Sequence, residues 1–387
     1  MRPIILCCIA CALLFQGCAT TSLPPVTAAT PKGFTFEDDE KQLWKTSEEE
    51  QKKLDSSGLV LGDVELESYV NSVAARLHPP DPSFRIPFRI VVLKNYYLNA
   101  FAYPNGVIYV HTGILAQMEN EAQLATLLAH EMTHCTHRHT AQEFRDLKNK
   151  ATFNAAFQVF LGGFGWGLAG LLGQVGTIAS VQGYSRAMEN EADTEGFKLM
   201  VKAGYDPAEA VRIFEILKKD ADSRKVKEPF FFGSHPKLQD RIDNYTNLRL
   251  TSGKKDGIKN AELFLAKTKK GLRTDAELNM RAGNFTEAQK ELEKYAKVEP
   301  GPEAYYLLGE VSRQQGGARA IETAKGYYEK AVNAGPEYPE PYRELGLIYY
   351  KAKDKQAARK YFESYLARAP NAKDRGYIEM YLKRSSE

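Results

Sequence analysis

His130-Glu131-Met132-Thr133-His134 is the stretch on which the reading of this chain turns. It follows an apolar run that begins after Asn120 and passes through Leu124, Leu127, Leu128 and Ala129, so the expected local structure is a single buried helix. On such a helix, residues four apart differ by about 40° round the axis and about 6 Å along it. His130 and His134 then project from one face and can meet one ion at about 2.0–2.1 Å, while Glu131 stands one step round, within reach of a water. Zinc lowers the pKa of that water from 15.7 to about 7, and Glu131 is the expected acceptor of its proton and later donor to the leaving amine. Two incidental histidines would be costly in a helix this apolar.

A catalytic zinc needs a third protein ligand and an open fourth position. His137 lies close to the face of His130 but about 10 Å further along the helix, too far to join the same ion. The spacing also lacks the Gly at 137 and the His at 140 of the three-histidine pattern. Ser185-Arg186-Ala187-Met188-Glu189-Asn190-Glu191-Ala192-Asp193 offers two carboxylates. Glu189 is the better placed and Glu191 almost as good; Asp193 is the expected acceptor for the free N–H of a ligand histidine.

Upstream, Arg2 and the apolar run Ile4 to Phe15 read as an export signal covering residues 1–18, too short to span a bilayer. It ends at Gly17-Cys18-Ala19, a pattern similar to a lipobox, which makes Cys18 the expected acylation site and a membrane surface the expected address. Ala19 after the cysteine resembles the pattern for the outer membrane. Residues 19–35, with Pro24-Pro25, read as a tether. Of the five cysteines only Cys135 remains beyond these segments, so no disulfide framework is expected, and Cys135 itself reads as a small buried hydrophobe. A net charge of +3 from 52 basic and 49 acidic residues, without a basic stripe, argues against a nucleic-acid partner.

The expected metallopeptidase domain, residues 36–252, opens with helices over Glu37 to Leu54 and Val64 to Leu77, the second with Val64, Leu66, Val70, Val73 and Leu77 near one face. Phe88 to Leu93 and Gly106 to His111 read as strands of a small sheet, joined through the turn Pro104-Asn105-Gly106, with helix resuming at about Leu115. The strand Val107 to Val110 is a candidate for pairing with an extended substrate backbone. Residues 151–185 carry no charged side chain and eight glycines; they are long enough to span a membrane, which would make the chain an integral membrane protease, but the glycines and Gln158, Gln174 and Thr177 favour an apolar cover or membrane-surface segment. After a linker helix, 253–271, residues 272–387 repeat themselves. Tyr327-Tyr328 recurs as Tyr361-Phe362 at 34 residues, Leu308-Gly309 recurs as Leu345-Gly346, and Pro300, Pro336 and Pro370 close successive helical pairs. Period and small residues predict about three tetratricopeptide repeats to residue 370 and a capping helix to Lys383, a surface that holds other proteins.

His130 to His134 with Arg138-His139, Asn99-Ala100-Phe101-Ala102 with Gly106, and Ser185-Arg186 ahead of Glu189 with Ala192-Asp193 resemble the HtpX and CAAX-processing class of zinc metallopeptidases. A protease domain followed by tetratricopeptide repeats resembles, within that class, the β-barrel assembly-enhancing proteases. The resemblance implies an α+β, mostly helical fold: a zincin-like domain with a small sheet, then an all-α solenoid. It implies one Zn2+ per chain held by His130, His134 and Glu189, with Glu131 as base. It also marks Ser234-His235-Pro236 with Arg241: His235 either occupies the open zinc position and holds the enzyme latent, or donates to the oxyanion of the tetrahedral intermediate. The implied activity is an endopeptidase of a Gram-negative-type envelope, facing the periplasm, acting on misfolded or stalled envelope proteins. The repeats would dock it to the outer-membrane β-barrel assembly machinery. The competing expectation is a chaperone or scaffold whose protease site is normally shut.

Overall fold

A computed structural model describes residues 22–27, 30, 34–79, 85–149, 184–224 and 238–386. Helix α1 (Asp38–Asp55) starts on a reciprocal cap in which the side chains of Glu37 and Glu40 each accept from the other's backbone N–H, with acids in its first turn and Lys52 and Lys53 in its last. Helix α2 (Val64–Leu77) starts where the Asp63 carboxylate accepts from the Leu66 N–H at 2.9 Å. Leu66, Val70, Val73 and Leu77 turn inward as expected. Val64 does not: it lies 200° round from Leu66 and is 81% exposed.

The sheet has strands β1 (Arg89–Leu93), β2 (Ala100–Ala102) and β3 (Val107–His111) in the order β1-β3-β2. β3 runs parallel to β1, with Ile90 beside Ile108, and antiparallel to β2, with Phe101 beside Tyr109. Gly106 makes the tight turn between β2 and β3 at φ 88°. The position of β3 corrects the expectation that Val107 to Val110 receives a substrate backbone, because both of its edges already carry ladder hydrogen bonds. β2, not foreseen as a strand, is the edge on that side of the sheet among the described residues.

Helix α3 (Thr112–Gln117) leads to α4 (Glu121–Thr136), which carries the two histidines. Asn120 caps α4 by accepting from the Gln123 N–H at 3.1 Å. Every residue from Glu121 to Cys135 is buried, the pattern of a helix enclosed on all sides. Around it pack β2, α5 (His139–Asn149), α6 (Arg186–Lys202) and α7 (Ala208–Arg224), and α8 (Leu238–Ser252) lies against α6 and α7. Leu124, Leu128, Ala129 and Met132 of α4 share one core with Val70 and Val73 of α2, Ile108 and Val110 of β3, Phe197 of α6 and Tyr245 of α8.

Helices α9 (Ala261–Ala282), α10 (Phe285–Val298), α11 (Pro302–Gln315), α12 (Ala318–Ala334), α13 (Glu340–Lys351) and α14 (Lys355–Arg368) form three consecutive pairs, closed by α15 (Arg375–Ser386). A Cβ on Gly309 would lie 2.4 Å from the Tyr328 ring, and one on Gly346 2.5 Å from the Phe362 ring. Each pair's glycine therefore makes room for the aromatic residue of its partner helix. The division placed at residue 272 falls inside α9, which continues unbroken through it. Helix α3 is seated against this first pair. Thr112 donates to Asp275 at 2.6 Å, Lys294 donates to the Ala116 carbonyl at 2.9 Å, and Ala116 joins Leu272, Ala276 and Leu292 in their core.

Part of the expected tether is also seated. The Val26 N–H donates to the Thr136 carbonyl at 2.8 Å, Arg138 donates to the Pro24 carbonyl, and Leu23 and Val26 are buried. Cys18, His235 and all but the end of the charge-free 151–185 segment lie outside the described residues. Among the described residues no helix is long and apolar enough to cross a membrane.

Candidate metal centre

One turn of α4 separates His130 from His134, and their Nε2 atoms lie 3.0 Å apart. Across from them, Glu189 in the first turn of α6 presents Oε2 at 3.5 Å from His130 Nε2 and Oε1 at 3.7 Å from His134 Nε2. One donor atom from each of the three lies within 4.8 Å of the others, and all three side chains are at most 1% exposed. Gly196 permits this approach: a Cβ there would meet the His130 nitrogen at 3.0 Å and the Ala129 carbonyl at 3.1 Å. Ser185 caps α6 by accepting from the Met188 N–H at 3.3 Å, which sets Glu189 at the helix's positive end.

The outer nitrogens of both histidines are held. His130 Nδ1 lies 3.0 Å from Asp193 Oδ1 and 3.0 Å from Arg241 Nη2, and Arg241 is ion-paired with Asp193 and lies over the Phe214 ring at 4.2 Å. Burial pushes the Asp193 carboxyl up, but Arg241 and His130 more than offset it and hold it well below the usual carboxylate range. His134 Nδ1 lies 2.9 Å from Nδ1 of His139, whose Nε2 lies 3.2 Å from Glu191 Oε2. Burial, only partly countered by Glu191, pushes the His139 imidazole down to about 4. The Tyr184 ring stacks on His134 at 4.0 Å between centroids, with its hydroxyl 3.0 Å from Thr140 Oγ1.

Glu131 is 2% exposed and its Oε1 has no hydrogen-bond partner among the described residues. Burial first, and then the Glu189 charge, hold this carboxyl well above its usual value. Two imidazoles and a carboxylate, all buried, form a donor set that zinc fits, with the orphaned Glu131 oxygen in the same interior. His137, 15% exposed, faces Glu191 at 3.8 Å. Glu191, weighed as a ligand from its spacing, is instead turned toward His139 and His137. Cys135 is buried and donates to the Tyr103 carbonyl at 3.3 Å. His139 entered only through the family resemblance, without a role at the site, and Tyr184 not at all; His139 reaches His134 through the break after Thr136 and not by helical spacing.

Residues 61–249 match the model of Peptidase family M48, and residues 276–318 and 317–373 match a tetratricopeptide repeat model. The chain thus carries an M48 metallopeptidase domain followed by tetratricopeptide repeats. Among curated relatives it is similar to the β-barrel assembly-enhancing proteases of Escherichia coli, 29% identical over 202 residues, and of Yersinia pestis, 31% over 204. Each alignment covers 51% of this chain and 41% of the relative, so the chain matches about two fifths of those proteins' length. The mitochondrial metalloendopeptidase OMA1 of Schizosaccharomyces pombe is 32% identical over 177 residues, 45% of this chain and 50% of that protein. A solved structure, the crystal structure of MamA, aligns at 15% identity over 47% of this chain and 90% of its own, with a TM-score of 0.25.

Proposed function

We propose that the protein is a zinc-dependent endopeptidase of the bacterial cell envelope, with His130, His134 and Glu189 as ligands of one zinc, Asp193 orienting His130, and Glu131 as the catalytic base. The observation that carries this reading is the convergence of those three buried side chains beside the unpartnered Glu131 carboxylate oxygen. Zinc bound there supplies Lewis acidity, polarising a carbonyl and acidifying water. Glu131 takes the proton of the attacking water and returns it to the leaving amine. His130, Glu131, His134 and Glu189 are each at most 2% exposed, so the charges developing there are weakly screened.

The relatives' names support a role in β-barrel assembly. On this reading, residues 1–18 export the chain, an acylated Cys18 holds it on the periplasmic side of the outer membrane, and misfolded or stalled envelope proteins are its substrates. The repeats dock it to the assembly machinery. His235, carried over from the family resemblance, governs access to the zinc.

Zinc content and cleavage of unfolded casein, on protein lacking the first 18 residues, test this. One zinc per chain and cleavage are expected, with Glu131→Gln keeping the zinc and losing about 10²–10⁴-fold in kcat. A protein that binds zinc and cleaves nothing, with or without His235→Ala, sinks the endopeptidase reading. If it does cleave, the sign of the His235→Ala effect separates a plug, whose removal raises cleavage, from an oxyanion donor, whose removal lowers it.

A further inference from the structure

We infer that His139 is a positioning residue for this centre: it fixes which nitrogen of His134 carries the proton, and so aims the His134 Nε2 lone pair at the point shared with His130 and Glu189. The inference rests on the metal-site reading above.

His139 is five residues beyond His134, and on a continuous helix it would stand about 140° round from it. The chain breaks instead. Helix α4 ends at Thr136, and Arg138 adopts φ 61°, a left-handed conformation that residues with a Cβ rarely take. That turn is held by the buried ion pair of Arg138 with Glu40, whose Nε to Oε1 distance is 2.7 Å. It swings His139 back until its Nδ1 lies 2.9 Å from that of His134.

Two imidazole nitrogens at hydrogen-bond distance share one proton, and the outer end of the chain sets its direction. Glu191 is a carboxylate and can only accept, so His139 presents Nε2–H to it. Nδ1 of a neutral His139 is then bare and accepts from Nδ1–H of His134. Neutral His134 is left with a bare Nε2, the atom that lies 3.0 Å from His130 Nε2 and 3.7 Å from Glu189 Oε1. The opposite tautomer would place a proton on Nε2, between the two histidines, and shut out a cation. His130 Nδ1 faces a carboxylate directly, at Asp193, with the Arg241 guanidinium at the same distance. Both arrangements end on α6, so this one helix supplies Glu189 and the last member of each outer contact, Glu191 and Asp193.

The test compares full-length zinc-loaded wild type with His139→Gln and His139→Asn. An Asn amide oxygen takes the place of Nδ1 and preserves an acceptor for His134; a Gln amide falls at the Nε2 position and does not. Zinc transfer to a chelator is expected to be about 10–100-fold more favourable from the Gln variant, with the Asn variant close to wild type. In ¹⁵N-histidine spectra of the wild type, His134 is expected to be protonated at Nδ1 and His139 at Nε2. Equal zinc retention in the Gln variant, no rescue by Asn, or an Nδ1-protonated His139 overturns the inference. The spectra decide alone if the variants do not fold. A wild type that binds no zinc, or zinc that survives loss of both His130 and His134, instead removes the metal-site reading, and this inference with it.

Discussion

At the scale of single residues, the centre is held together by groups that tolerate no vacancy. Arg241 and Asp193 are each 1% exposed and paired, and removing one leaves the other's charge in a dry interior. Arg241→Ala is therefore expected to cost on the order of 3–5 kcal/mol in urea unfolding of the zinc-free protein. A loss below about 1 kcal/mol would mean that water reaches the pair. His130 and His134 were legible because a four-residue interval has one meaning on a helix. Glu189 and Glu191 were hardly separable, since both follow the same cap at Ser185 and only tertiary packing decides which faces the histidines. The approach of His139 was illegible for a plainer reason: it depends on one left-handed residue, Arg138, whose partner Glu40 lies 98 residues earlier.

At the scale of elements, the same glycine has opposite meanings in neighbouring helices. Gly309 and Gly346 sit under aromatic rings, and adding a methyl group there is expected to lower stability by about 1–3 kcal/mol. Gly326, in the middle of α12, has nothing within 4 Å of a built Cβ, and Gly326→Ala is expected to raise stability by about 0.5–1 kcal/mol. Urea unfolding of the three alanine variants side by side checks both signs. The repeats were readable because their period is written in side chains that must recur wherever helices touch. β2 was not: its three residues are buried on both faces, and a buried tripeptide shows neither alternation nor length.

At the scale of the whole molecule, protease and repeats are joined by more than a linker. Phe264, on α9, is fully buried in the core that also contains α4, and Ala116 of the protease lies in the core of the first repeat. A chain cut after Ser252 is expected to melt at a lower temperature than one cut after Glu299, and to aggregate, because the faces of α2 and α3 that α9 covers are laid bare. Equal melting temperatures would show the two parts to be independent. Composition could not disclose this seam, any more than it could show that Leu23 and Val26, in a stretch rich in Pro and Thr, find a surface to lie on. That last contact changes the mooring. With Cys18 acylated as proposed, chain length alone would allow residue 35 to lie about 60 Å from the lipid, whereas the buried Leu23 would lie no more than about 18 Å from it. On that proposal the end of α4 that carries Thr136, whose carbonyl receives the Val26 N–H, would be held near the bilayer surface.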